Sequence, residues 1–227
     1  TAFVCVIAMA AVWLSYRPPP SGPPPTSGRM GFNVPRRELF MVFYAGLVWM
    51  VYNLAYFSFL SFGPALLLER GMDVTAAGAA ISLASWAALP ALPLGGFLAD
   101  RTGRPDLILG VSCVLAAGAA AALPLSDRPY LLCAAVGLFA AAPAGMIMGR
   151  AISLMSPPHR AQGNAILYTF FYGGMGLIPS VVGWGADITG TAATPLYFSA
   201  IALLVSVPLF LVMHAMAKRL TAERAVD

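Results

Sequence analysis

Four charged residues, Asp100, Arg101, Arg104 and Asp106, fall within the stretch GGFLADRTGRPD, directly after a long uncharged run. Carboxylates and guanidinium groups this close together can grip a phosphate, form a catalytic ion cluster, or mark where a helix leaves a membrane. A phosphate loop requires a Lys-Ser/Thr pair after spaced glycines and a strand before them, and this stretch has neither. The remaining reactive side chains are sparse. His159 stands in a polar segment beside Arg160, and His214 precedes Lys218 by four residues, which suits an interfacial or dipole-stabilising role more than proton transfer. Cys5, Cys113 and Cys133 lie in separate apolar runs without CxxC spacing, so they provide neither a zinc site nor a disulfide framework and read as small buried hydrophobes. No metal or cofactor site is expected, and an enzyme is disfavoured because His, Asp and Glu do not cluster.

The elements that must carry these residues follow from composition. Hydrophobic residues make up 59% of the 227 and charged ones 10%, with a mean hydropathy of +0.80, so the solvent for most of the chain is lipid. Uncharged runs cover 1–16, 39–68, 74–99, 107–126, 129–149, 161–186 and 188–217. A membrane-spanning helix needs about 20 apolar residues, and all but the first run have that length. Barrel strands are excluded because they are about ten residues long with alternating polarity. The fold class expected is therefore an all-α integral membrane bundle of six helices, preceded by one partial transmembrane helix at 1–16. That first run lacks a basic leader and a small-residue cleavage site, and reads as the end of a helix that begins upstream.

Between 1–16 and the bundle lies RPPPSGPPPTSGRMGFNVPRRE, residues 17–38, a Pro-, Ser- and Gly-rich stretch expected to be a linker. The bundle then occupies 39–217 and a short tail 218–227. Basic residues sort by loop. Arg17, Arg29, Arg36, Arg37, Arg101, Arg104, Arg150, Arg160, Lys218, Arg219 and Arg224 fall in one alternate set, against Arg70 and Arg128 in the other. The rich set belongs in the cytoplasm, which places the C-terminus there too, in what is expected to be a bacterial plasma (inner) membrane. The net charge of +4 follows from this topology, and without a basic stripe or aromatic platform no nucleic acid is expected as a partner. The nine carboxylates fall in loops or at helix ends, so no embedded acid marks an ion pathway.

Gly96-Phe97-Leu98-Ala99-Asp100-Arg101-Thr102-Gly103-Arg104 resembles the loop between the second and third helices of each half in the major facilitator superfamily, Gly-x-Leu-Ala-Asp-Arg-x-Gly-Arg followed by a second basic residue. The tenth position departs, being Pro105. The resemblance implies a secondary transporter of a small solute working by alternating access, with Gly96, Asp100, Arg101, Gly103 and Arg104 in the loop that switches conformation. It implies that the chain is the C-terminal half of a twelve-helix protein whose partner is its own N-terminal six-helix half. The segment NLAYFSFLSFGPALLLERG with this loop resembles cyanate-type or nitroimidazole-type permeases. A transport-inactive membrane sensor or assembly module is the rival.

An internal comparison points the same way. Residues 95–103, GGFLADRTG, and 182–190, VGWGADITG, share Gly96/Gly183, Ala99/Ala186, Asp100/Asp187, Thr102/Thr189 and Gly103/Gly190 at opposite membrane faces. This is the pattern of a three-plus-three inverted repeat.

Candidate substrate contacts come from helical spacing. Trp49, Tyr52, Asn53 and Tyr56 form one stripe at i, i+3, i+4, i+7, and Asn53 there must face protein or a water-filled cavity. Tyr168 and Tyr172 stand on a second stripe with Phe171, and Met146 on a helix that lines the central cavity in the superfamily. Gly145 and Gly149 make a GxxxG pair, expected to pack closely or bend, and Arg150 after them either anchors at the interface or meets an anionic substrate.

Overall fold

The structure, a computed structural model, describes residues 9, 10, 12–15 and 35–224, so most of the expected partial helix and linker lies outside the described residues. Residues 9, 10 and 12–15 are helical and belong to a unit separate from Val34–Asp227. In the larger unit the elements are α1 (Arg36–Glu69), α2 (Val74–Thr102), α3 (Pro105–Ala122), α4 (Pro129–Ala141), α5 (Ala144–Ser153), α6 (Arg160–Thr189) and α7 (Thr194–Arg224). Short 3₁₀ turns stand at Leu123–Leu125 and Pro157–His159. Six spans among the described residues are long and apolar enough to cross a membrane, α4 and α5 together forming the fourth. No strand occurs among the described residues, as lipid demands of an open chain.

Local chemistry sets the ends. Asp73 caps α2, its carboxylate accepting from the Thr75 and Ala76 amides at 2.9 and 3.0 Å. Pro105 and Pro129 occupy the first turns of α3 and α4, where a missing N–H is harmless. Two boundaries differ from the sequence expectation. The α2 helix runs past its apolar residues to Thr102, so Asp100 and Arg101 sit in its last turn rather than in a loop. The run 188–217 divides at Gly190, and α7 starts only at Thr194. The fourth span breaks after Ala141: Pro143 cannot donate to the Phe139 carbonyl, and the ladder resumes at Ala144.

The inverted repeat is visible in the packing. Helix α1 packs on α6 and α7, α4 packs on α2 and α3 in the same way, and α3 meets α7 between them. Equivalent ends match in detail. Gly103 and Gly190 are both left-handed C-caps (φ 64° and 68°), their amides donating to Ala99 and Ala186. Thr102 and Thr189 hydroxyls both donate one turn back, to Leu98 and Gly185, at 2.7 and 2.9 Å.

The closest backbone approach joins α2 and α4. A Cβ on Gly137 would meet the Ala84 carbonyl and one on Gly95 the Ala142 carbonyl. Gly96, Gly145 and Gly149 have open space where a Cβ would stand. The close-packing expectation for the Gly145/Gly149 pair is therefore corrected, because no backbone faces it.

Contacts sort the connections into two ends. At one end Glu38, at the start of α1, binds Ser156 and His159 of the α5–α6 connection, and Asp106 of α3 approaches His214 of α7. At the other, Arg70 holds Leu123, Ser126 and Asp127 while Glu69 accepts from the Ala192 amide. The first grouping contains the loops rich in Lys and Arg.

Candidate functional site

Two regions gather the residues singled out above. The first lies at the basic end. The last turn of α2 presents Asp100 and Arg101, Gly103 turns the chain, and Arg104 leads into α3. The Arg101 guanidinium lies 5.9 Å above the Phe97 ring, an intrahelical cation–π contact. Asp100 is exposed and makes no ion pair or hydrogen bond among the described residues. With Gly96 and Gly103 it lines a cavity of about 610 Å³ whose far wall is Gly145, Met146, Gly149 and Arg150 of α5. The three glycines Gly96, Gly145 and Gly149 thus widen a cleft.

His214, four residues before Lys218 on α7, is only 6% exposed, its Nδ1 2.8 Å from Asp106 Oδ1. The pair is within ion-pair distance yet does not meet hydrogen-bond geometry. His159 joins a triangle in which Ser156 Oγ and His159 Nδ1 each lie 3.0 Å from the same Glu38 oxygen and 2.9 Å from one another. This triangle ties the start of α1 to the turn before α6.

The second region is aromatic and joins α1 to α6. Trp49 stacks on Tyr52 with ring centres 6.1 Å apart and leans on Phe171 at 6.5 Å. Phe171 also meets Phe57 at 5.9 Å and Tyr172 at 4.9 Å, and Tyr168 stacks on Tyr172 at 6.1 Å. Tyr168 and Tyr172 are exposed, whereas Tyr52 is buried. The stripe predicted on α1 therefore divides by partner. Tyr52 donates to the Ala140 carbonyl at the break of the fourth span, and Tyr56 donates to the Ala84 carbonyl of α2 at 3.3 Å. Asn53 donates back to the Trp49 carbonyl at 2.7 Å, satisfying half its amide within its own helix. The Trp49 indole N–H is buried without a partner among the described residues. Met146 lines the basic-end cavity instead.

Sequence spacing missed Phe57 and the pairing of His214 with Asp106. The first was within reach of spacing, since Phe57 stands four residues after Asn53 and eight after Trp49 and so continues the stripe. The second needed the α3–α7 contact, which no local pattern encodes. Cys113 and Cys133 are free and buried, Cys113 Sγ lying 3.8 Å from Ser206 Oγ. Among the described residues no three His, Cys, Asp or Glu side chains gather as metal ligands.

The sequence profile of the Major Facilitator Superfamily matches residues 45–226. No curated protein and no solved structure gives a significant match to the chain. A six-span helical bundle with paired glycine-capped helix ends, and a match over most of its length, mean that this chain belongs to the Major Facilitator Superfamily, whose members are secondary transporters.

Proposed function

We propose that the chain is the C-terminal six-helix half of a secondary transporter that carries a small organic solute by alternating access, pairing with an N-terminal half of the same protein. The observation that supports this most is the relation between α2 and α6. Both end on a left-handed glycine, both carry the Asp and Thr of the repeat, and only the α2 copy bears Arg101 and Arg104. An inverted repeat of this kind supplies two states of similar energy, and the charged copy biases one of them. Asp100, Arg101, Gly103 and Arg104 then form the switch at the cytoplasmic face of a bacterial plasma membrane, with Gly96 leaving room for the loop to move.

The aromatic group is the substrate face in this reading. Trp49, Tyr168 and Tyr172 offer rings and Asn53 an amide oxygen, while Tyr52 and Tyr56 fix the helix that carries them and Met146 lines the way out. These groups are uncharged, so this half contributes stacking and hydrogen bonds, and a charge on the solute is met in the other half. The likeness to cyanate-type and nitroimidazole-type permeases is compatible with a small organic anion or another small metabolite.

The test is solute counterflow in proteoliposomes. Solutes that stabilise the purified protein thermally are loaded inside, and exchange of labelled solute is followed. Asp100→Asn is expected to slow exchange about tenfold or more while leaving solute binding intact, since it acts on the switch. A solute that binds but never exchanges would reject transport and leave a sensor module.

A further inference from the structure

Beside the switch loop lies a second cleft of about 570 Å³, within the roughly 300–1,000 Å³ of small-ligand sites. Its walls come from three elements: the start of α3, Arg150 of α5, and His214 and Lys218 of α7, with Arg104 at the lip. Cationic side chains and a helix start dominate these walls. Helix α3 begins without a side-chain cap, so the Asp106 and Leu107 amides face outward with no partner among the described residues. Arg150 is half-buried, lines this cleft and the neighbouring one, and makes no ion pair among the described residues. Against these groups the cleft sets one carboxylate, Asp106.

Interface anchoring does not account for the arrangement. An anchoring side chain puts its polar tip in water, as exposed Arg219 does. His214 does the opposite: it lines the cleft while 6% exposed, and both its ring nitrogens are buried with no hydrogen-bond partner among the described residues. A buried polar atom left unpaired is costly unless a ligand completes it.

We propose that this cleft binds one compact oxyanion of the phosphate class, free or as a lipid headgroup, held by Arg150, Lys218 and Arg104, with the His214 ring behind them able to add positive charge. Guanidinium and ammonium groups around an uncapped helix start form a ready oxyanion site. An anion on one side of the His214 ring and the Asp106 carboxylate on the other both favour the imidazolium over the neutral ring, so binding is linked to protonation of His214. The groups facing that ring are Asp106 from α3, Arg150 from α5, and Phe210 and Lys218 from α7. The site stands apart from the transport reading, since it requires no movement of solute.

Sulfate is the probe, being doubly charged across the useful pH range. Thermal stabilisation of the purified protein in neutral detergent is measured against sulfate concentration at constant ionic strength. The expected result is a saturable rise whose apparent affinity falls about tenfold in Arg150→Gln and His214→Gln, is unchanged in Arg219→Gln, and weakens at least about threefold from pH 6 to pH 8. If Arg150→Gln does not fold, Lys218→Gln at an exposed position makes the same comparison. Phosphatidylglycerol in the micelle competes with sulfate if the natural occupant is a headgroup and does not if it is a free anion. Stabilisation that fails to saturate, or equal affinity in wild type and the cleft variants, overturns the proposal. Loss of counterflow with sulfate binding intact would count against transport alone.

Discussion

Tyr52 shows how one side chain can serve an element other than its own. Its ring is buried against Trp49 and its hydroxyl donates to the Ala140 carbonyl, one residue past the carbonyl to which Pro143 cannot donate. Removing the hydroxyl strands a buried acceptor at the weakest point of the fourth span. Tyr52→Phe is expected to lower stability by about 1–2 kcal/mol, read as earlier thermal unfolding in detergent, while Tyr168→Phe, at an exposed position, leaves it unchanged. Much of this lay beyond the sequence. Spacing put Trp49, Tyr52, Asn53 and Tyr56 on one stripe because a helix repeats every 3.6 residues. It said nothing of which neighbours the stripe would meet, and the two phenols turn to different helices.

At the scale of the element, glycine patterns divide by what faces them. Gly137 and Gly95 set the α2–α4 distance, with backbone carbonyls where their methyl groups would be. Backbone in two packed helices cannot step aside as a side chain can, so Gly137→Ala is expected to cost about 1–3 kcal/mol, measured by unfolding in denaturing detergent. Gly145→Ala and Gly149→Ala point into the open cleft and are expected to be neutral or slightly stabilising, by up to about 1 kcal/mol, in the same measurement. The GxxxG spacing of the latter pair was legible, yet close packing requires a facing partner, and the motif does not contain one. Helix existence was legible for a stronger reason: an apolar run in lipid has no alternative to intrahelical hydrogen bonds. Helix ends were less so. Asp100 and Arg101 continue α2 because polar residues at a membrane surface are free to stay helical until Gly103 stops them.

Across the whole molecule, the alternation of basic loops predicted two ends, and the contacts group the same loops together: Glu38 with His159 at one, Arg70 with Asp127 at the other. Cysteine labelling in intact cells tests which way they face. In a variant lacking the native cysteines, Asp127→Cys, whose native side chain is fully exposed, is expected to react with an impermeant maleimide added outside, and Arg219→Cys only after the cells are opened. The two ends also differ in construction. Glu69 and Arg70, adjacent at the end of α1, clasp the loops of both repeats, whereas the basic end holds two clefts of several hundred Å³. Bundles tied in this way open first where they are hollow. Amide exchange with deuterated solvent should therefore be slow at 123–128 and 189–193 and fast at 100–106, which would make the basic end the one that opens first.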